Sequence, residues 1–322
     1  MEKTKPKNFR YYLRLTLWVL LVQALLANIS ASIYAYKFTH FYDQPAPRYA
    51  GQNIFDQTWK LFVGPRFYKN AEEAEPSFPY RRVTLETSDH IAIDGWYSPV
   101  DTAKGCVVLL HGLTANKGYL EKEAAVFRTW GYNVLLIDFR AHGKSGGNNS
   151  TFGISETDEL EKAFAFARAQ GNRKIILYGV SLGAGVCIKG VSENRVQPAA
   201  IIADMPFGTL HNHLKARARV LGFPSEPFGT LVTMWIGIER GYNGFRHNIA
   251  GYAKKVKCPV LVEWGEKDRY VAREEVEQVY ESLASSRKKM VVYPDADHES
   301  FLHVDPNTWE HEVKAFLDQL PQ

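Results

Sequence analysis

The pattern of apolar and polar positions divides the 322 residues into three regimes. From Leu13 to Phe38, LRLTLWVLLVQALLANISASIYAYKF, apolar residues run almost unbroken, with Arg14, Gln23, Asn28 and Lys37 as the main polar interruptions. That run is long enough to cross a bilayer as one helix. A cleaved signal peptide, with Ser30-Ala31-Ser32 as its small-residue site, and a buried helix of a soluble protein are the competing readings. Thr39 to Tyr80 carries no period. Pro45, Pro47, Pro65, Pro76 and Pro79 stand there among Trp59, Phe62, Phe67 and Tyr68, which predicts a connector with one short helix around Ile54 to Phe62. Its aromatics suit either the lipid interface or the face of a folded domain.

From Arg82 the pattern becomes regular. Val83, Leu85 and Thr87 alternate with polar residues, Ser88-Asp89-His90 supplies a turn, and Ile91, Ile93 and Trp96 resume the alternation, which predicts a β-hairpin. Cys106 to Leu110 is continuously apolar, as a strand buried on both faces requires. A helix over Tyr119 to Trp130, a strand over Asn133 to Ile137, a helix over Glu156 to Ala169 and a strand from Ile175 follow in turn. A helix to about Val191, a strand over Ala199 to Ala203, a strand over Pro259 to Trp264, a helix over Arg273 to Leu283, a strand over Lys289 to Tyr293 and a helix over Thr308 to Leu320 complete the chain. Strands alternating with helices predict a mostly parallel sheet covered on both faces. Met205 to Lys257 breaks this rhythm and is too long for a loop, so it predicts a small helical cap inserted after the sixth strand. The expected organisation is a stub and membrane helix at 1–38, a connector at 39–80 and an α/β domain at 81–322, with the cap at about 205–257.

Composition supports one large domain: 45% of residues are hydrophobic and 23% charged. The formal charge of +4 is modest. Lys3, Lys5, Lys7, Arg10 and Arg14 precede the apolar span, whereas only Lys37 and Arg48 lie close after it, so the positive-inside rule places the N-terminus in the cytoplasm and the main domain across the membrane. No basic stripe with interleaved aromatics recurs later, which argues against nucleic acid as a partner. Cys106, Cys187 and Cys258 sit in or beside apolar segments at unrelated spacings, as free core cysteines do.

The chemistry gathers where the apolar strands end. The strand from Ile175 runs into Gly179-Val180-Ser181-Leu182-Gly183, where glycines flank a serine at a tight strand-to-helix turn because two backbones cross there. Helix N-terminal N–H groups beside Ser181 favour developing negative charge. The same stretch has two other readings: a glycine-rich turn with a capping serine, or a dinucleotide loop built on Gly183 and Gly185 with Asp204 about 20 residues on. The latter lacks its third glycine. Open parallel sheets collect their functional residues beyond the carboxyl ends of the strands. Here those are His111-Gly112-Leu113, Asp138-Phe139-Arg140-Ala141-His142-Gly143, Ser181, Asp204, Asp268 and His298.

On these residues the chain from about Arg82 to Leu320 resembles the α/β-hydrolase superfamily. The order Ser181, Asp268, His298 is that superfamily's order, with the acid after the seventh strand and the histidine after the eighth, and DFRAHGKSGG from Asp138 resembles its D-x-R-G-H-G-x-S motif with Ala141 in place of one glycine. The resemblance implies an eight-stranded, mostly parallel sheet with helices on both faces. It also implies that Ser181 acts as nucleophile, His298 as its base and Asp268 as the group that orients the imidazole, with the backbone N–H groups of Leu113 and Leu182 as oxyanion donors. Glu266 or Asp204 are rival acids, and His303 is the rival base. His298-Glu299 with His303 is spaced five apart where a zinc motif has four, and His211 and His213 are only two apart, so a metal site is not expected. His111, His142, Asp138 and Arg140 suit a structural role in holding loops.

The resemblance is nearest the serine-aminopeptidase-like and monoglyceride-lipase-like branches. The expected function is a membrane-anchored serine hydrolase acting on an ester, thioester or amide without a cofactor, most simply a carboxylesterase or lipase-like enzyme. An aminopeptidase-like activity or a non-catalytic binding protein are the alternatives. If the cap takes an acyl group, Leu221, Phe223, Phe228, Leu231 and Trp235 are its expected lining.

Overall fold

The computed structural model describes residues 9–43, 59, 62–71 and 75–320. Lys3, Lys5, Lys7, Arg48 and most of the short helix expected around Ile54 to Phe62 lie outside those residues.

The apolar N-terminal run forms one continuous helix, α1 (Phe9–Thr39), long and apolar enough to cross a membrane. Its two halves live in different surroundings. Side chains from Phe9 to Leu26 are exposed, whereas Ser30, Ala31, Tyr34, Ala35, Phe38 and Thr39 are buried against the rest of the chain. At 1.5 Å per residue the outer two-thirds spans roughly 30 Å, the thickness of a hydrocarbon core. After α1 comes β1 (Phe41–Tyr42), paired in parallel with β2 (Phe67–Tyr68). This small sheet docks the connector on the main domain: the Phe41 N–H donates to the carbonyl of Asn148 at 2.7 Å, and its ring lies 4.4 Å from that of His142.

The main sheet has eight strands. They are β3 (Arg81–Glu86), β4 (Ala92–Ser98), β5 (Cys106–Leu110), β6 (Asn133–Ile137), β7 (Ile175–Val180), β8 (Ala200–Asp204), β9 (Val260–Gly265) and β10 (Lys288–Tyr293), in spatial order β10-β9-β8-β7-β5-β6-β4-β3. The predicted hairpin is the antiparallel β3–β4 pair, with Val83 opposite Gly95 and Leu85 opposite Ile93. β4 runs antiparallel to β6 as well, and the remaining six strands are parallel. Every residue of β5, β6, β7, β8 and β9 is buried, which is why these segments read as unbroken apolar runs.

Helices α2 (Glu121–Thr129) and α3 (Glu156–Ala169) follow β5 and β6, and α4 (Leu182–Ser192) follows β7. Two cores result. One face of the sheet packs under α3 and α4 with Leu160, Phe164, Val186 and Ile188; the other packs under α2 and the C-terminal helix with Phe127, Trp309, Val313 and Phe316. The helix expected from Tyr119 begins instead as a 3-10 turn, Lys117–Leu120, before α2.

The segment after β8 contains α5 (Leu210–Val220), α6 (Ser225–Arg240) and α7 (Ile249–Ala253). Only α5 and α6 stand apart as a cap, because Ile249, Ala250 and Ala253 of α7 belong to the main core. α8 (Arg273–Ser282), α9 (Phe301–Val304) and α10 (Pro306–Asp318) complete the fold. The last helix starts at Pro306, which suits a first helical position, with the Asp305 side chain accepting from the Thr308 N–H.

The cap contacts α1. Tyr34 sits edge-on to the rings of Phe223 and Phe228 at 5.6 and 4.9 Å, within a buried cluster that joins Ala31, Ala35 and Phe38 to Leu210, Leu214, Val232 and Ile236. The helix that reads as an anchor therefore doubles as a packing surface for the cap.

Candidate active site

Ser181 closes β7 and opens α4 with φ +53° and ψ −104°, a conformation a non-glycine residue adopts only when its surroundings impose it. The flanking glycines make that possible. A Cβ on Gly179 would lie 2.5 Å from the Gly183 backbone, and a Cβ on Gly183 would lie 2.2 Å from the carbonyl oxygen of Leu110.

His298 pairs with Asp268 and lines the same cavity as Ser181. His298 Nδ1 lies 2.7 Å from Asp268 Oδ2, and the side chain of Asp268 is fully buried. Its other oxygen accepts from the N–H groups of Tyr270 and Val271 at 2.7 and 2.9 Å. Those bonds hold the carboxylate in place against His298 Nδ1. The rival acids do not reach it. Asp204 points into the core, where its carboxylate takes the hydroxyl of buried Tyr178, and Glu266 is half-exposed opposite Arg273. His303 is exposed on α9. His211 contacts Thr230 while His213 takes Arg217, so these two rings serve different partners.

A cavity of about 770 Å³ opens over this constellation, lined by Gly112, Leu113, Val180, Ser181, Tyr270 and His298 among others, a volume suited to a small-molecule ligand. Phe67 and Asn70 of the connector contribute to its wall. Leu182 is the first residue of α4, and Leu113 lies in the turn after β5. The five cap residues expected to line an acyl pocket are placed elsewhere. None of Leu221, Phe223, Phe228, Leu231 and Trp235 is among the described residues lining the cavity; all five pack on the α1–cap cluster, because Tyr34 and Phe38 offer them an apolar surface.

The loop carrying Leu113 is held by two buried imidazoles. His142 Nε2 accepts from the Thr114 N–H at 3.2 Å and its Nδ1 donates to the Arg140 carbonyl at 2.8 Å. His111 Nε2 accepts from the Phe139 N–H at 3.0 Å and its Nδ1 donates to the Gly112 carbonyl at 2.7 Å. Arg140 is clamped by Glu159 and Asp89, and Asp138 by the N–H and ammonium of buried Lys117. Burial pushes the pKa of His142 down to about 3 and that of His111 down to about 4. Both rings are therefore neutral in the folded protein and protonate near pH 6.5 when the chain unfolds. Stability contributed by these groups is complete above about pH 6.5 and falls as the pH drops toward 4. His142→Gln, which keeps a donor and an acceptor, should make that fall shallower by up to about 1.4 kcal/mol per pH unit, as measured by denaturant titrations between pH 7 and 4. Unchanged slopes would show that His142 contributes no proton linkage.

Comparison with known proteins agrees with this fold. A model of the alpha/beta hydrolase family matches residues 107–310. The chain belongs to the α/β-hydrolase family. Among its relatives, an uncharacterized protein of Bacillus subtilis, YqkD, is 26% identical over 71% of this chain and 76% of its own length. An uncharacterized membrane protein of Saccharomyces cerevisiae, YNL320W, is 26% identical over 74% of this chain and 80% of its own. The lysophosphatidylserine lipase ABHD12 of Mus musculus is 25% identical over 60% of this chain, spanning 49% of that protein. Among solved structures, the Pyrococcus furiosus esterase Pf2001 superposes with a TM-score of 0.67 at 26% identity, covering 88% of this chain and 99% of the esterase. This α/β hydrolase thus has esterase and lysophospholipase-like homologues. Its apolar α1 and its likeness to a yeast membrane protein support membrane association.

Two features of the site were not visible in the sequence. The connector enters the cavity wall through Phe67 and Asn70, and Arg217 of the cap lies beside Tyr270. One of several basic residues in a helix of mixed polarity, with Lys215 and Arg219 beside it, Arg217 carries no spacing signal, so only the fold reveals it.

Proposed function

We propose that this α/β hydrolase is a membrane-tethered serine hydrolase that cleaves an acyl ester through a covalent acyl-enzyme. The observation that carries the reading is the meeting of Ser181, at its strained turn, with His298 on one cavity, the imidazole being held at 2.7 Å by buried Asp268. Ser181 Oγ attacks the ester carbonyl while His298 Nε2 takes its proton. The developing oxyanion is received by the N–H groups of Leu182 and Leu113, which cost no reorganisation because α4 and the His142-braced loop already fix them. His298 then returns the proton to the departing alkoxide. Water, deprotonated by the same imidazole, cleaves the acyl-enzyme to release the carboxylic acid and restore Ser181. Asp268 holds the productive tautomer and stabilises the imidazolium throughout.

An ester is favoured over an amide by the names of the similar proteins, an esterase and a lysophosphatidylserine lipase. A fluorophosphonate probe should label the folded chain at Ser181, and p-nitrophenyl esters should turn over faster than aminoacyl anilides. Absence of labelling in folded protein would replace this reading with that of a binding protein.

For topology, the proposal is a cytoplasmic N-terminus with the hydrolase domain on the opposite side. Arg10 and Arg14 lie in the first turns of α1, and basic residues before a span resist translocation. A reporter at the C-terminus should be active only in the non-cytoplasmic compartment; a cytoplasmic signal would reverse the orientation.

A further inference from the structure

Arg217 of α5 lines the cavity that holds Ser181 and His298, and it is the only lysine or arginine among the described residues that do so. The buried cations of the domain are matched by carboxylates: Lys117 by Asp94 and Asp138, Arg140 by Asp89 and Glu159, Lys189 by Glu193. Arg217, half-buried at the cavity, is not. Among the described residues no carboxylate lies within ion-pair distance of it, and its side-chain hydrogen bond is from Nε to His213 Nε2 at 2.8 Å. Its Cζ sits 5.4 Å from the ring centre of Tyr270 and 6.0 Å from that of Phe38, so aromatic faces partly enclose it. His213 supplies no countercharge. The nitrogen that accepts from Arg217 is unprotonated, and burial together with the nearby guanidinium holds the ring neutral.

The ring of Tyr270 also lies 5.4 Å from that of His298, which places the guanidinium one aromatic ring away from the catalytic imidazole. The acidic residues on the cavity, Glu75 and Glu121, are already occupied. Glu121 accepts from the N–H and hydroxyl of Ser77, and Glu75 reaches Arg82 at 3.8 Å. Arg217 is half-buried at the cavity wall with no carboxylate partner, and its remaining donors form a fork suited to planar or tetrahedral oxyanions.

We infer that Arg217 is the anion anchor of this site, and that the substrate is an acyl ester bearing a phosphate or carboxylate group that pairs with its guanidinium while Ser181 attacks the ester carbonyl. This substrate assignment rests on the hydrolase reading above, whereas the anion site itself can be tested without turnover.

Binding is measured by calorimetry on the full chain in detergent, in the Ser181→Ala background, with hexyl phosphate, hexanol and inorganic phosphate as probes. Hexyl phosphate should bind about 10- to 100-fold more tightly than hexanol, the range of a hydrogen bond to a charged group. Adding Arg217→Gln should erase the difference, and Arg217→Lys should recover part of it. Equal affinity for hexyl phosphate with and without Arg217, or inorganic phosphate binding as tightly as hexyl phosphate, would overturn the assignment. With Ser181 intact, the ratio of kcat/KM for mono-p-nitrophenyl glutarate over p-nitrophenyl butyrate should fall by a similar factor in Arg217→Gln. A merely structural arginine would lower both rates and leave that ratio unmoved, which also overturns the anchor. Failure of the chain to hydrolyse either ester, with Arg217-dependent binding of hexyl phosphate intact, would overturn the hydrolase reading and leave the anion site standing.

Discussion

Ser181→Ala should lower ester turnover by about a thousandfold or more while leaving the melting temperature within a degree or two of the parent chain. The hydroxyl is the only group lost, and what remains is the modest acceleration given by oxyanion donors and binding alone. The turn itself should survive, since it is imposed by the close approach of Gly179 to Gly183 and of Gly183 to Leu110, none of which involves the serine side chain. His298→Ala should match Ser181→Ala, because a serine without a base is a weak nucleophile at neutral pH. His303→Ala should not, because that ring is exposed on α9 and has no contact with Asp268. Full activity in Ser181→Ala would remove the nucleophile from the mechanism, and a greater loss in His303→Ala than in His298→Ala would reassign the base.

Tyr34→Ala should destabilise the folded domain by about 3 to 5 kcal/mol, the usual cost of truncating a large buried aromatic. Tyr34 is 1% exposed, and its ring is the shared partner of Phe223 and Phe228. The comparison that isolates this effect is Leu17→Ala on the same helix, whose side chain is 57% exposed in the outer half and should leave domain stability unchanged in detergent. Denaturant unfolding of both variants, with proteolysis of the cap as a local readout, checks the difference. Equal behaviour of the two would mean that α1 is only a tether. Leu231→Ala and Trp235→Ala should likewise lower stability and leave the dependence of kcat/KM on acyl chain length nearly unchanged, since both side chains lie in the α1–cap cluster and neither is on the cavity.

The sheet was legible because its central strands are buried on both faces, and burial on both faces writes itself as an uninterrupted apolar run: Cys106 to Leu110, Asn133 to Ile137 and the segment leading to Ser181 all fall where strands stand. The turn at Ser181 was legible because steric exclusion leaves only glycine at its two crossings. The pairing of α1 with the cap was not. Ala31, Tyr34 and Phe38 already had a sufficient explanation as lipid-facing residues, and Phe223, Phe228 and Trp235 as pocket lining. Apolarity says that a residue leaves water without saying what replaces the water. Arg217 was silent for a related reason, because a single charge acquires meaning only from the partners it lacks, and those are visible only once α5, which carries both His213 and Arg217, is placed beside Tyr270.

α1 passes from its exposed outer half into the cap as one unbroken helix, with no flexible linker between the two. With the outer half seated in a bilayer, the mouth of the cavity is fixed in height and orientation over the leaflet and does not roam on a leash. Encounter then becomes a two-dimensional problem. The concentration that sets the rate for a lipid-borne ester is its mole fraction in the surface, and diluting the membranes in bulk solution changes the number of turnovers per vesicle far less than diluting the ester among inert lipids.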